Sequence, residues 1–349
     1  MGQRILITGI RSHLAAGLAR RLEADPEVER IVGVDLEEPA ARFERTEFVR
    51  ADIRNPLVVK VLQTTEVDTL VHLGLLSAPG RAGGRGRMKD INVIGAMQLF
   101  AACQRAERLR KVVVRSSTAV YGSSPRDPAI FTEGMTARAE PRGFGKDALD
   151  VEAYARTMAR RSPHIHLSML RFANFIGPRI DSAMTRYLSL PVIPTALGYD
   201  PRLQLVHEDD AVEVLLRAVR EDHPGTFNVA GEGVVPLSQA VRLMGKLPVP
   251  VVLPAASPLA EALRRRGAVD FPADQVRLLL YGRAVDTSRL AEEFAWRPVY
   301  STRDGLLDFV RGTGTRGPVT TKRVEEWDRR IRRAVGRPAG RPALETSDG

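Results

Sequence analysis

Cysteine, lysine, aromatic side chains and long apolar runs are all scarce in this 349-residue sequence, and each scarcity closes off a class of function. The lone Cys103, set in the apolar stretch AMQLFAACQ, excludes disulfides and cysteine-rich metal sites and reads as a buried structural thiol. No run approaches the roughly 18 uninterrupted apolar residues of a membrane span. The first apolar run begins at Ile5, too early for the charged and apolar regions of a signal peptide, so a soluble, cytoplasmic protein is expected. Lysine is scarce because arginine stands in for it: 46 of the 52 basic residues are Arg, and the net charge of +10 is scattered through every segment. A scatter offers no basic face, so no nucleic-acid partner is expected. P-loop and nucleophile-elbow patterns are missing too. The cluster His207, Glu208, Asp209, Asp210 directly precedes the helix-like AVEVLLRAV, so Asp209 or Asp210 is expected to cap that helix and no metal is expected there.

What is present is an alternation. Short, continuously apolar runs (RILITG, RIVGVD, TLVHLG, KVVVRSS, IHLSMLRFAN) alternate with helix-like stretches such as LAAGLARRLEA and GAMQLFAACQRA. Strands apolar on both faces, separated by helices, predict an α/β fold: a doubly wound, Rossmann-type parallel sheet. After Gly177-Pro178, proline-punctuated segments predict a smaller C-terminal substrate lobe. The expected division is a dinucleotide domain over 1–178, with 203–232 returning to it, and a lobe from 179–202 and 233–312. In the tail, 313–349, Val324, Trp327, Ile331 and Val335 recur at helical spacing among arginines. They predict a basic amphipathic helix that docks on the body or touches a partner or an anionic membrane surface, followed by disordered residues.

The first strand-to-helix turn, ITGIRSHLAAGLARRL, has the geometry that aims backbone N–H groups and a positive helix end at a pyrophosphate, although Ser12 and Ala15 stand where a full fingerprint carries glycine. Asp35 closes the second strand, where a carboxylate can accept both ribose hydroxyls and repel a 2′-phosphate, favouring NAD over NADP. Asp52 and Ile53 suit an adenine, the carboxylate taking its amine and the isoleucine covering its face. Either aspartate also suits a turn or a helix cap.

Taken in order, TGIRSHLA, VD at 34–35, ADI at 51–53, HLG at 72–74, NVIGAMQLF, RSSTAVYG, LRFANFIGPR, LVHEDDA and FNVAGEG resemble the extended short-chain dehydrogenase/reductase family, the NAD-dependent epimerases and dehydratases of nucleotide sugars. In particular the chain resembles UDP-glucose 4-epimerase-like proteins of actinobacteria. The resemblance covers residues 4 to 310. It implies that Gly9, Ile10, Arg11, Ser12, His13 and Leu14 wrap the NAD pyrophosphate, that Asp35 binds the ribose, and that His72, Leu73 and Gly74 pass along the cofactor. It further implies that Asn92 braces a nearby loop, Ser116 backs the nicotinamide side, Ser117 meets a substrate hydroxyl and Asn174 contacts a nucleotide diphosphate. A homodimer through helices starting near Asn92 and Phe144 is also implied.

The family's chemistry requires a tyrosine that exchanges a proton, and a lysine one helical turn later that lowers its pKa. Aligned on Glu152, those positions hold Phe144 and Ala148. Lys146 and Asp147 fall at the wrong angle or carry the wrong charge. The family's phosphate-binding arginine aligns with Leu203, and Arg202 is one residue off, hence on the opposite face of an extended chain. Three readings follow. The first is an NAD-binding member with catalysis lost or atypical; the second is an active epimerase or dehydratase with Tyr121 as surrogate acid and base; the third is a basic interaction protein without a cofactor.

Overall fold

The computed structural model describes residues 2–56, 58–252 and 273–315. The expected amphipathic helix at Val324, Trp327, Ile331 and Val335 lies outside the described residues. Strands β1 (Gln3–Thr8), β2 (Val28–Asp35), β3 (Thr46–Arg50), β4 (Thr69–His72), β5 (Lys111–Ser117) and β6 (His166–Phe172) alternate with α1 (His13–Glu23), α2 (Val58–Thr65), α3 (Pro79–Ala82), α4 (Arg85–Lys89), α5 (Gly95–Cys103) and α6 (Gly143–Arg161). Then come β7 (Asn174–Ile176), α7 (Ala183–Ser189), β8 (Val192–Ala196), β9 (Arg202–Leu203), β10 (Leu205–His207), α8 (Glu208–Arg220) and β11 (Gly225–Val229).

Seven strands form one sheet in the order β11-β6-β5-β4-β1-β2-β3, every neighbouring pair parallel. The apolar runs explain it: Ile5, Leu6, Ile7 and Val112 to Val114 are fully buried, as strands covered by helices on both faces must be. Leu14, Leu18 and Leu22 hold α1 to the sheet. Burial of each such side chain contributes about 1.5–3 kcal/mol. The doubly wound expectation therefore stands. From β1 the chain winds outward to β2 and β3, and from β4 it winds the other way, so a crevice opens at the carboxyl ends of β1 and β4, where α/β sheets bind ligands.

A second cluster, including Met184, Leu188, Leu203, Leu205, Val235, Leu306 and Phe309, packs beside the main core. The two are interleaved in sequence, since Val285, Leu290 and Phe294 belong to the first cluster. Cys103 is buried, and burial pushes its thiol pKa up, as suits a structural role. The cap of α8 differs from expectation. It is His207, whose Nδ1 accepts the Asp209 N–H at 3.2 Å, while Asp210 turns inward and accepts the N–H groups of Val299 (2.8 Å) and Tyr300 (3.0 Å). Tertiary acceptor demand at Asp210 moved the cap upstream. No described helix is long and apolar enough to cross a membrane.

Candidate functional site: a crevice and an adjoining cavity

At the crevice, Gly9 takes φ +75°, and a Cβ there would lie 2.8 Å from the Gly74 Cα. The loops leaving β1 and β4 thus touch backbone to backbone, which only glycine permits at this φ. Ser12 donates to the Gly9 carbonyl at 2.9 Å and accepts the Ala15 N–H at 3.3 Å, capping α1. Helix geometry leaves first-turn N–H groups without intrahelical acceptors, so those of His13 and Leu14 remain for a phosphate. Asp35 accepts the N–H groups of Arg11 (3.1 Å) and Leu36 (2.8 Å) through different oxygens, which orients the carboxylate at the end of β2. The Arg11 guanidinium is turned to Glu37 at 2.8 Å. Ile10 is buried and packs against Gly33, where a Cβ would come within 2.6 Å of it. This turn therefore fits a dinucleotide: a bare backbone cradle, a helix end and an oriented carboxylate at the expected spacing.

Other expected cofactor residues are placed less simply. Asp52 is held by Arg54, Oδ2 to Nη2 at 2.6 Å, and that hydrogen bond outweighs burial to lower its pKa. Ile53 packs against Gly95 at the start of α5. His72 is a core residue: Nδ1 lies 2.7 Å from Thr8 Oγ1, the ring meets Phe100 edge-on, and burial, then the charge of Arg115, brings its pKa down to about 4. Only the backbone at Leu73 and Gly74 adjoins the β1 turn. Asn92 does brace a loop, exchanging hydrogen bonds of 2.8 Å with both the N–H and the carbonyl of Leu76.

Beyond the crevice a cavity of about 160 Å³ is lined by Ser117, Phe144, Asn174, Arg142, Arg277 and Arg283, among others. Phe144 is 4% exposed and Ala148 is fully buried. Close approach of α6 fixes the phenyl ring: a Cβ on Gly145 would stand 2.5 Å from the Ala119 carbonyl oxygen. The neighbours do not substitute for the absent pair. Lys146 reaches Asp150 at 3.2 Å on the outer face. Asp147 is enclosed by the Arg85 guanidinium at 2.6 and 2.7 Å and by Asn92 at 3.3 Å.

Tyr121, the expected surrogate acid, is placed away from the cavity. Its hydroxyl donates to Asn228 Oδ1 and accepts from Arg171 Nη1, each at 2.8 Å, and its ring stacks on Phe131, so the phenol points into the core and is no part of the cavity wall. Burial raises its pKa further from neutrality. Arg171 is the centre of a buried network, donating to Glu152 at 2.8 and 2.7 Å, and Glu152 also accepts from Ser116 Oγ at 2.6 Å. Ser116 therefore faces α6. Burial opposes the charge on Glu152, but Arg171, Ser116 and Arg156 outweigh it and lower its pKa.

Sequence reasoning missed Arg277, Arg283 and Arg115. Arg283 donates to the Gly122 carbonyl at 2.8 Å and Arg277 to that of Ser123 at 2.9 Å, bringing two cations to the cavity where the Leu203 position brings none. For Arg277 and Arg283 the only signal was their place in or just after a helix-like run that follows a proline-rich segment, and nothing local ties such residues to a site 150 residues earlier; Arg115 stood on β5 beside Ser117 with nothing in the sequence to show its surroundings.

The model of the NAD dependent epimerase/dehydratase family matches residues 5–230. An uncharacterized protein of Mycobacterium tuberculosis is 43% identical over 337 residues, 95% of this chain and 89% of that protein. Among solved structures, MoeE5 in complex with UDP-glucuronic acid and NAD shares the fold with TM-score 0.69 at 19% identity, covering 90% of this chain and 99% of its own. UDP-glucose 4-epimerase of Thermotoga maritima, with UDP-glucose, does so with TM-score 0.67 at 17% identity, covering 88% and 97%. The chain belongs to the NAD dependent epimerase/dehydratase family, whose cofactor is NAD.

Proposed function

We propose that this protein binds NAD in the β1/β4 crevice and a nucleotide-sugar-like ligand in the adjoining cavity, and that it lacks the ordinary proton-transfer chemistry of its family. The carrying observation is Phe144, seated in the cavity wall with Ser117 and Asn174 where a phenol is needed, with Ala148 buried one turn later. NAD would supply a hydride acceptor and donor. The turn at Gly9 to Leu14 would hold its phosphates and Asp35 its ribose. The ligand would lie between the dinucleotide domain (1–178 with 203–232) and the lobe (179–202 and 233–312), with Asn174, Arg277 and Arg283 meeting its diphosphate. Positive charge from two or three arginines suits that anion better than a neutral sugar.

Two supports bear on the chemistry. A phenyl ring has no exchangeable proton, and Tyr121 is committed to Asn228 and Arg171. Glu140, the one carboxylate among the described residues that line the cavity, is exposed. Losing a positioned acid and base removes about 10²- to 10⁴-fold in rate. Titration of NAD by calorimetry, followed by incubation of the loaded protein with UDP-glucose, UDP-glucuronic acid and dTDP-glucose, tests this. Saturable NAD binding without epimer or NADH formation is expected, and product at ordinary enzyme rates would sink the reading. We also infer a homodimer: Ile94 and Met97 are exposed beside the start of α5. Sedimentation should give a dimer that Met97→Glu weakens, and a monomeric wild type would refute it.

A further inference from the structure

Arg115 is used by nothing described so far. It lies on β5 two residues before Ser117, so both project to the same side of the strand. Its Nη1 donates to the carbonyls of Leu75 (2.8 Å) and Leu73 (3.3 Å), on the loop that borders the crevice, and its guanidinium lies 5.1 Å from the Phe175 ring centroid. Its Nε is buried with no hydrogen-bond partner. No acidic side chain among the described residues forms a salt bridge with it, in contrast to Arg171 with Glu152 and Arg85 with Asp147. Burial alone pushes its pKa down to about 10, so it remains charged at neutral pH. Arg115 is itself half-buried, so its charge is partly withdrawn from water without a carboxylate beside it, and its open side can admit an anion from outside the chain.

The space beside it is specific. Arg115, Ser77, Ser117, Phe144, Asn174 and Ser182 line a pocket of about 30 Å³, which shares Ser117, Phe144 and Asn174 with the larger cavity. A water-sized group needs roughly 10–15 Å³ of such volume, so about two fit. That matches the two oxygens of a carboxylate and is tight for a phosphate. Guanidinium and carboxylate are both planar, and the hydroxyl-bearing Ser77, Ser117 and Ser182 line the same pocket as Arg115, which suits that pairing.

We propose that Arg115 is a specificity-determining residue that binds a carboxylate carried on the sugar ring of the ligand, so that the protein prefers a nucleotide uronate over the neutral nucleotide hexose. This rests on the nucleotide-sugar reading above.

The test is calorimetry of the NAD-loaded full chain with UDP-glucuronic acid and UDP-glucose, on wild type and on R115Q and R115K. The expected result is an affinity at least about tenfold higher for the uronate, the scale of one charge-assisted pair. R115Q should bring the ratio of the two affinities close to one, and R115K should keep part of it. Equal affinities in wild type, or a ratio that survives R115Q, overturns the assignment while leaving the nucleotide-sugar reading intact. Binding of neither sugar overturns both. Loss of NAD affinity in R115Q with the sugar ratio retained assigns Arg115 to the cofactor and also overturns it. Should R115Q fail to show a cooperative melt, the wild-type ratio and R115K decide the matter.

Discussion

The crevice at β1 and β4 and the amino-terminal end of α6 lie side by side, yet they have departed from the family pattern to different degrees. In the crevice Ser12 and Ala15 stand where the fingerprint carries glycine, and the strand–turn–helix geometry is still formed; a phosphate there would be held by backbone N–H groups and a helix end, which small side chains do not alter. At α6 the two positions that would carry the relay hold Phe144 and Ala148, and proton exchange depends on a particular phenol and on a charge at one helical turn from it. A binding site made of backbone tolerates side-chain change; a relay made of side chains does not. The buried Arg171 and Glu152 pair shows a third behaviour: beneath the altered site, the structural network that positions α6 remains complete.

The strongest way to break this contrast is to restore the relay. Phe144→Tyr with Ala148→Lys is expected to raise turnover of a bound nucleotide sugar by about 10²- to 10⁴-fold, read by chromatography of the sugar product. No gain in a variant that folds and binds NAD would mean that more than the relay has been lost.

Next in size is the support under it. Glu152→Gln strands the Arg171 charge and is expected to cost about 3–5 kcal/mol in urea unfolding, with NAD affinity measured separately. The pH dependence has a definite sign. The folded-state pKa of Glu152 is lowered, so its contribution is present above the unfolded value near ~4.3 and is lost as pH falls through the lower folded value. Wild type should therefore lose stability in acid more steeply than Glu152→Gln. Parallel acid limbs would show that the pair is not what senses pH.

The crevice is sharpened by Asp35→Asn. Its carboxylate is oriented by two N–H groups, and removing the charge should shift the NAD over NADP preference by about tenfold toward NADP, as expected for loss of one charge–phosphate repulsion. An unchanged preference would show that another group selects the cofactor.

An effect of similar size belongs to Tyr121→Phe. It removes one hydroxyl from a buried network and should cost about 1–3 kcal/mol of stability by leaving Asn228 and Arg171 each short of a partner. Any sugar turnover should be unchanged. A turnover that vanished with this change would return the phenol to the chemistry.

Much of the site could be read from residues close in sequence. Thr8 to Leu14 and Asp35 sit on one strand–helix–strand unit, and the alternation of apolar runs with turn residues places them without knowledge of distant contacts. Phe144 and Ala148 are legible as departures because both lie on one helix at a fixed spacing. The differences share a cause. Tyr121 was placed near Ser117 by proximity in sequence, but its hydroxyl is held by Asn228 and Arg171, 107 and 50 residues away. The α8 cap went to His207 because Val299 and Tyr300 claim Asp210.

By itself the sequence determined the parallel sheet, the glycine turn after β1 and the presence of Phe144 and Ala148 on one face of α6, since each is a matter of period, spacing or residue type within a short span. Tertiary structure alone decided which charges in the interior and at its edge are paired. Arg171 finds Glu152 and Arg85 finds Asp147, while among the described residues Arg115 finds carbonyls and a ring. Charge compensation depends on distances between elements far apart in the chain, and composition cannot assign a partner across a fold.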